Sequence, residues 1–268
     1  MAAPSPKRES GSNINSTFLI FFTNSLLQGM VMYVDNFTYG MVDGRKGFSS
    51  SLSNICQLRY QVYVNEWRFE KPEDHSGGLE RDEYDQHSIH YYACSSDSDE
   101  VIGSARIILG SERSLPIERH FDISQFPAGL WREKTAEISR LAISKKFRCR
   151  AIDRAILRTE QTTTNYLRPV REKGRHFRLH YEQELVRGLY LFLYRDSKLR
   201  GLTHWFAVMA KGLYVILRRW GIIFEQIGPA RDFHGIRAPY LVSIENIERA
   251  LEKNNPGLYS EAQSELIH

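Results

Sequence analysis

The chain has 268 residues, 42% hydrophobic and 25% charged, ordinary globular values that exclude collagen-like, disordered and multi-span membrane classes. Its 36 Lys and Arg against 32 Asp and Glu leave a net charge of +4, too mild to demand nucleic acid as a partner. Cys56, Cys94 and Cys149 are widely spaced and form no C-x-x-C; neither a disulfide framework nor a zinc or other metal site is expected, and the reading is a reduced, cytoplasmic protein.

Residues 1–13 are polar and rich in Ser and Pro. Phe18 to Tyr33 is apolar but interrupted by Thr23, Asn24, Ser25 and Gln28, short of the about 20 residues a membrane span needs. Two readings fit it: a helix packed on the domain, or an interfacial anchor in peripheral contact with a membrane. Leu52, Ile55, Arg59, Val62 or Tyr63, and Trp67 recur at three- and four-residue steps and predict a helix with one inward face. Glu70 to Gln86 reads as a loop. His90 to Cys94 and Val101 to Leu109 read as strands of an antiparallel hairpin turned by Ser95 to Asp99. Glu118 to Trp131 is irregular, and Ala136 to Ile143 is a strand followed by the basic loop Ser144 to Arg150.

Beyond that loop a helix is expected over Ala151 to Leu167, then an inserted charged loop, Arg168 to His180. An amphipathic helix carrying Leu185, Leu189, Phe192 and Leu193 follows, then a strand from Thr203 to Met209. A helix with Leu213, Ile216, Leu217 and Trp220 precedes strands near Ile222 to Ile227 and Tyr240 to Ile244. Strands first in a meander and then alternating with helices indicate a mixed α/β sheet. The expected organisation is an N-terminal extension, 1–48, and one domain, 49–268.

Two constellations carry chemistry. One is Glu80-x-Asp82-x-x-Asp85 in the loop; the other is Glu137-x-x-Arg140 on a strand that otherwise reads apolar. Arg106 and Arg59 also sit among apolar neighbours. Charges in such places are expensive to bury unless paired, and bidentate carboxylate–guanidinium bonds can neutralise them. An ion-pair network that only holds the loop on the sheet would account for the same residues. Side chains alternate along a strand, so Glu137 and Arg140 share a face only if a bulge intervenes. Cys149 has basic neighbours that would lower its pKa, but no His is near it in sequence. The aromatics Tyr190, Phe192, Tyr194, Trp205, Phe206 and Trp220 could line a tunnel or simply fill a core.

Arg59, Tyr63, Trp67, Asp82-x-x-Asp85, Arg106 and Glu137-x-x-Arg140 together resemble the acyl-homoserine-lactone synthase family. The runs 58–63, 79–85 and 137–142, the Thr203 to Met209 strand, and Gly228-Pro229-x-x-Asp232-Phe233-His234-Gly235-x-Arg237-x-Pro239-Tyr240 resemble a sister group. That group comprises the bacterial long-chain N-acyl amino acid synthases and the acyltransferases associated with PEP-CTERM/exosortase systems. The resemblance spans roughly Ser50 to Tyr259.

The resemblance implies a GNAT-like acyltransferase fold. It implies direct transfer of a long acyl chain from acyl carrier protein, or from coenzyme A, to the amino group of an amino acid or related amine. Acyl-phosphopantetheine would be the donor, with no tightly bound cofactor. The implied catalytic set is Glu137 as base with Arg140, Arg106, Asp82, Asp85 and Arg59. Backbone N–H groups of Leu141, Ala142 and Ile143 would hold the oxyanion, and Lys145, Lys146, Arg148 and Arg150 the pantetheine phosphate and an acidic carrier protein. Trp67, Trp205, Phe206, His234 and Arg237 would bind substrate. Arg106 and Arg140 either hold the loop carboxylates or bind the carboxylate of the acceptor. The His-Gly-x-Arg segment departs from typical lactone synthases and favours an amino acid or another simple amine over S-adenosylmethionine. An autoinducer synthase, or a non-catalytic module binding carrier protein or lipid, are the alternatives. The charge is segregated: residues 66–100 carry 11 acids and 3 bases, and residues 145–200 carry 15 bases and 6 acids, which reads as an amine-bearing substrate and an acidic protein partner.

Overall fold

The computed structural model describes residues 31–34, 37–95, 98–123, 132–148 and 169–263. β3 (Ser88–Ser95) and β4 (Val101–Leu109) form the expected antiparallel hairpin. β2 (Phe37–Asp43) and β1 (Val31–Val34) add to it on one side, both antiparallel. On the other side β5 (Thr135–Ile143) runs antiparallel to β4, and β6 (His204–Met209) runs parallel to β5. β9 (Ile236–Ser243) pairs with β6 and carries the short β7 (Glu225–Gln226) and β8 (Arg231–Asp232). The order is β1-β2-β3-β4-β5-β6-β9-β7.

Helices cover both faces because each strand buries both sets of alternate residues. On one face α3 (Pro169–Leu199) sets Leu185, Leu189 and Phe192 against Tyr39, Tyr91 and Ile107. α4 (Lys211–Arg219) contributes Leu217 to the same core. On the other face α1 (Ser50–Tyr60) packs Leu58 on Ala142 of β5. Ser49 starts α1 by accepting a hydrogen bond from the Leu52 N–H at 3.2 Å. A second cluster on this face joins Ile108 and Phe206 to Ile117, from the short helix α2 (Pro116–His120). Two C-terminal helices, α5 (Ile244–Asn254) and α6 (Pro256–Gln263), bury Ile247, Leu251 and Leu258.

α1 does not stop at Tyr60. It widens into a π-helical turn over Gln61–Glu66, where the Trp67 N–H reaches the Val62 carbonyl at 3.0 Å. The extra residue per turn lets Val62 and Tyr63, adjacent in sequence, both point toward β5. Inserted π turns of this kind are common at functional sites.

Three expectations change. β1 and β2 both lie inside the stretch read as an N-terminal extension, which thus supplies two strands of the sheet; residues 1–30 lie outside the described residues. Arg168 to His180 is no inserted loop: from Pro169 it is the first part of the 31-residue α3. Pro suits the first turn of a helix, and the Lys, Arg and Glu that read as a solvated loop are good helix formers. The strand near Ile222 shrinks to Glu225–Gln226, and Ile244 opens α5 where Ser243 accepts from the Asn246 N–H at 3.1 Å. The helix expected over Ala151 to Leu167, with Cys149 and Arg150, lies outside the described residues.

One irregularity positions the site. β5 pairs with β6 only from Thr135 to Ile138, opposite His204 to Ala207. Beyond that, β5 continues to Ile143 and β6 to Met209 with no pairing between them. The sheet is open there. Among the described residues no helix is long and apolar enough to cross a membrane.

Candidate active site

The β4–β5 register slips between Ser104↔Ala142 and Arg106↔Ser139. Ala105 alone therefore faces both Arg140 and Leu141, a β-bulge, and Arg140 adopts φ +51°. A left-handed backbone is uncommon for a residue with a Cβ. Its consequence is that Ser139 and Arg140, neighbours in sequence, present their side chains to the same face: Arg106 Nε donates to Ser139 Oγ at 3.1 Å, and Arg106 and Arg140 both reach Asp82. Glu137 lies two residues before Ser139, on that face as well.

Below the bulge the loop after α1 delivers its carboxylates to three arginines. Arg59, fully buried, binds Glu80 through Nε and Asp85 through both terminal nitrogens, at 2.7 and 3.2 Å. Arg106 binds Asp82 at 2.6 and 3.0 Å and Asp85 at 2.6 Å. Arg140 binds Glu80 at 3.0 Å and Asp82 at 3.0 Å. Three cations meet three hydrogen-bonded anions, with Glu70 farther out at 3.8 Å from Arg140, and this pairing is what makes the burial tolerable. Burial pushes the Asp82 carboxyl up, but Arg106 and Arg140 outweigh it and hold the pKa at about 2. Glu80 and Asp85 are lowered by the same contest of burial against arginines. His90 accompanies Asp85, its Nε2 3.0 Å from the Asp85 carbonyl, and burial lowers its pKa to about 4, so it is neutral at pH 7.

Glu137 stands apart from this cluster. Its carboxylate accepts the Ile117 N–H at 2.8 Å, near the start of α2, and among the described residues no arginine is bonded to it. Burial raises its pKa to about 7, against the pull of the Ile117 hydrogen bond and of the Arg106 and Arg140 charges. A carboxyl poised near neutrality can both take and give a proton.

The open wedge between β5 and β6 is a cavity of about 450 Å³ that crosses the sheet. On the α3 and α4 side its wall is apolar, with Val186, Tyr190, Leu213, Ile216 and Trp220. On the α1 side it is polar and aromatic, with Tyr63, Trp67, Phe69, Ser139, Arg140 and Arg148. The hairpin from β8 to β9 closes this side with His234 and Arg237; Asp232 accepts the Gly235 N–H at 3.0 Å, and His234 and Gly235 both take positive φ at its tip. Tyr63 donates its hydroxyl to the Leu141 carbonyl at 2.9 Å, so the π turn is bonded to the strand it faces. Trp67 and Phe69 stack with centroids 5.7 Å apart, and Phe69 meets the His234 ring at 5.4 Å.

The structure thus brings Trp67, Arg140, Leu141, Ile143, Arg148, His234 and Arg237 to one cavity, and Arg59, Arg106, Asp82 and Asp85 directly beneath its polar wall. Ala142 packs under Leu58 and Val62 instead. Two expected substrate residues do not join. Trp205 is fully buried, its Nε1 donating to Ser197 Oγ at 2.9 Å, and Phe206 fills the cluster around Ile117. Both lie on the part of β6 that pairs with β5, and neither lines the cavity, nor does Glu137, which pairs with Phe206. Of the aromatics, Tyr190 and Trp220 line the cavity, whereas Phe192 and Tyr194 are core. Lys145 and Lys146 are exposed, and Lys146 pairs with Glu100 at 2.8 Å. Arg148 pairs with Glu66 and sits 4.8 Å over the Trp67 ring. Phe69 and Ser139 belong to the site and were not singled out; Phe69 lay in a polar loop, and only a bulge exposes what Ser139 does.

Comparisons with known proteins agree with this architecture. Residues 58–158 match the family model of the acetyltransferase (GNAT) domain. The structure is similar to that of the AHL synthase LasI, with a TM-score of 0.54, 17% identity, and coverage of 80% of this chain and 93% of that one. It is similar to a CoA-dependent acyl-homoserine lactone synthase, BjaI, solved with SAM and isopentyl-CoA (TM-score 0.53, 14% identity, 79% and 86% coverage). It is also similar to FeeM, an N-acyl amino acid synthase from uncultured soil microbes (TM-score 0.50, 10% identity, 80% and 93% coverage). No curated protein matches the sequence. The chain has the GNAT acyltransferase fold.

Proposed function

From that fold and from the wedge cavity, we propose that the protein is an N-acyltransferase. It moves a long fatty acyl group from a phosphopantetheine thioester, carried on acyl carrier protein, to the amino group of an amino acid or related amine. The observation that carries this reading is a cavity that crosses an opened sheet, apolar on one side and polar on the other, along a bulged strand on which Glu137, a buried carboxyl with a pKa of about 7, is next in sequence to the lining residue Ile138.

The acyl chain lies along Val186, Tyr190, Leu213 and Trp220, and the amine enters on the Arg140 and Arg237 side. The amine nitrogen attacks the thioester carbonyl, and the oxyanion is held by backbone N–H groups of β5 past Ile138, where β6 no longer pairs. Glu137 accepts the amine proton, directly or through one water. The tetrahedral intermediate collapses with cleavage of the C–S bond, giving the amide and a pantetheine thiolate, which takes up a proton. Arg59, Arg106, Asp82 and Asp85 fix the loop and the bulge, and Arg148 with Lys145 meets the donor's phosphate. An acidic carrier would be steered by these cations.

Glu137→Gln tests the base. The amide oxygen can still accept the Ile117 N–H, so α2 keeps its anchor while the titrating group is gone. We expect kcat to fall about 100-fold or more. In the parent protein kcat/KM should rise with pH through a limb near 7, and this limb should be missing in the variant. Thiol release at the parent rate, with the limb intact, would remove Glu137 from the mechanism.

A further inference from the structure

Among the described residues three arginines line the cavity, and two have carboxylate partners: Arg140 in Glu80 and Asp82, Arg148 in Glu66. The third, Arg237 on β9, has no carboxylate within ion-pair distance among the described residues. Its guanidinium lies 5.3 Å from the centroid of the Phe69 ring. The charged and titratable groups that sense it are Tyr63, Arg140 and His234. Burial makes its charge harder to hold, and the neighbouring Arg140 adds to that. A half-buried guanidinium facing a cavity, with a second cation near and only an aromatic face beneath it, lacks the counter-charge that buried ions ordinarily have.

We propose that Arg237 receives the carboxylate of the acceptor, which makes amino acids, rather than simple amines, the acceptor class. This rests on the acyltransfer reading and adds its specificity residue. The planar guanidinium fork matches a carboxylate bidentately. The other candidates already hold anions: every guanidinium nitrogen of Arg106 is bonded to Ser139, Asp82 or Asp85, and Arg140 gives Nε to Glu80 and Nη2 to Asp82. Placement also fits. Arg237 acts on Tyr63, whose hydroxyl is bonded to the Leu141 carbonyl. A carboxylate held there leaves the α-amino group, two bonds away, toward the open edge of β5, where the thioester carbonyl would lie. The aromatic wall of Phe69 and Trp67 is then available to the acceptor side chain.

The test compares acceptors matched in all but the carboxylate: common amino acids against their decarboxylated amines, with a long-chain acyl carrier protein as donor, in the parent chain, Arg237→Gln and Arg237→Lys. Loss of a charge-assisted pair should lower kcat/KM for amino acids roughly 10- to 100-fold through KM, narrow the preference for amino acids over their amines by the same factor, and be partly rescued by Lys. A urea midpoint and a circular-dichroism spectrum matching the parent's show that the variant is folded. Equal losses on both acceptor classes, no loss on either, or a rise confined to the donor's KM would overturn the assignment. Calorimetric titration of the parent chain with an amino acid and with its carboxamide needs no variant, and equal affinities would likewise overturn it. Failure of the parent chain to acylate any amine would overturn the transferase reading itself, and this assignment with it.

Discussion

Asp85 is the residue on which the buried cluster turns, because the two arginines it bonds, Arg59 and Arg106, are the buried ones. Asp85→Ala leaves two buried guanidinium groups short of an anion and should cost about 3–5 kcal/mol in urea unfolding, since breaking a buried pair strands its partner's charge. The pH dependence has two opposite parts. Asp82, Glu80 and Asp85 have lowered pKa values, so the stability they contribute is present above the usual carboxylate range and is lost as pH falls toward about 2. Glu137 is raised from 4.5 to about 7, so its contribution is present below 4.5 and is lost as pH rises through about 7. The urea midpoint of the parent chain should therefore decline over that interval, and that of Glu137→Gln should stay flatter; parallel curves would contradict the raised pKa. Arg59, Arg106 and the loop carboxylates were legible in sequence because charge among apolar neighbours announces a pairing. Which anion each arginine takes was not legible, because the partners lie 21 to 60 residues apart. Trp205 and Phe206 misled for a related reason: large aromatics look alike in sequence whether they line a cavity or fill a core.

Elements were read best where a single period governed them. The β3–β4 hairpin and the β5 strand came from alternation, and α1 from its three- and four-residue spacing. That spacing could not choose between Val62 and Tyr63, since a regular helix admits only one of them; the π turn admits both. The bulge at Arg140 was likewise stated only as a condition, and it is the condition the strand meets. α3 shows how an element depends on its floor. A Cβ at Gly188 would lie 2.2 Å from the Tyr39 ring, and Tyr39 is fully buried and donates to the Glu184 carbonyl at 3.3 Å. The helix thus rests on β2 at that glycine. Gly188→Ala should lower stability by about 1–3 kcal/mol through overpacking, despite the better helix propensity of alanine; a more stable variant in thermal unfolding would contradict this contact.

For the whole molecule, the mild net charge hides an internal transaction. The acidic stretch 66–100 reads as a surface asking for a cation, but much of its charge is consumed by residues outside it. Glu80, Asp82 and Asp85 go to Arg59, Arg106 and Arg140; Glu66 goes to Arg148, Glu83 to Arg113 and Arg119, and Glu100 to Lys146. The acidic run is a set of staples joining a loop to the sheet, and among the described residues that line the cavity the arginine without a carboxylate partner is Arg237. The ion pairs therefore fix the loop against α1, β4 and the bulge of β5, beside the wedge between β5 and β6, and the central claim is that amide formation takes place in that wedge. Its most direct test is mass spectrometry of the product formed when purified protein, a long-chain acyl carrier protein and a panel of ¹⁵N-labelled amino acids are incubated together. The account predicts an N-acyl product that carries the ¹⁵N label and appears in equal amount with free carrier thiol. Release of thiol with the acyl chain recovered as unlabelled fatty acid, or no release at all, would contradict it.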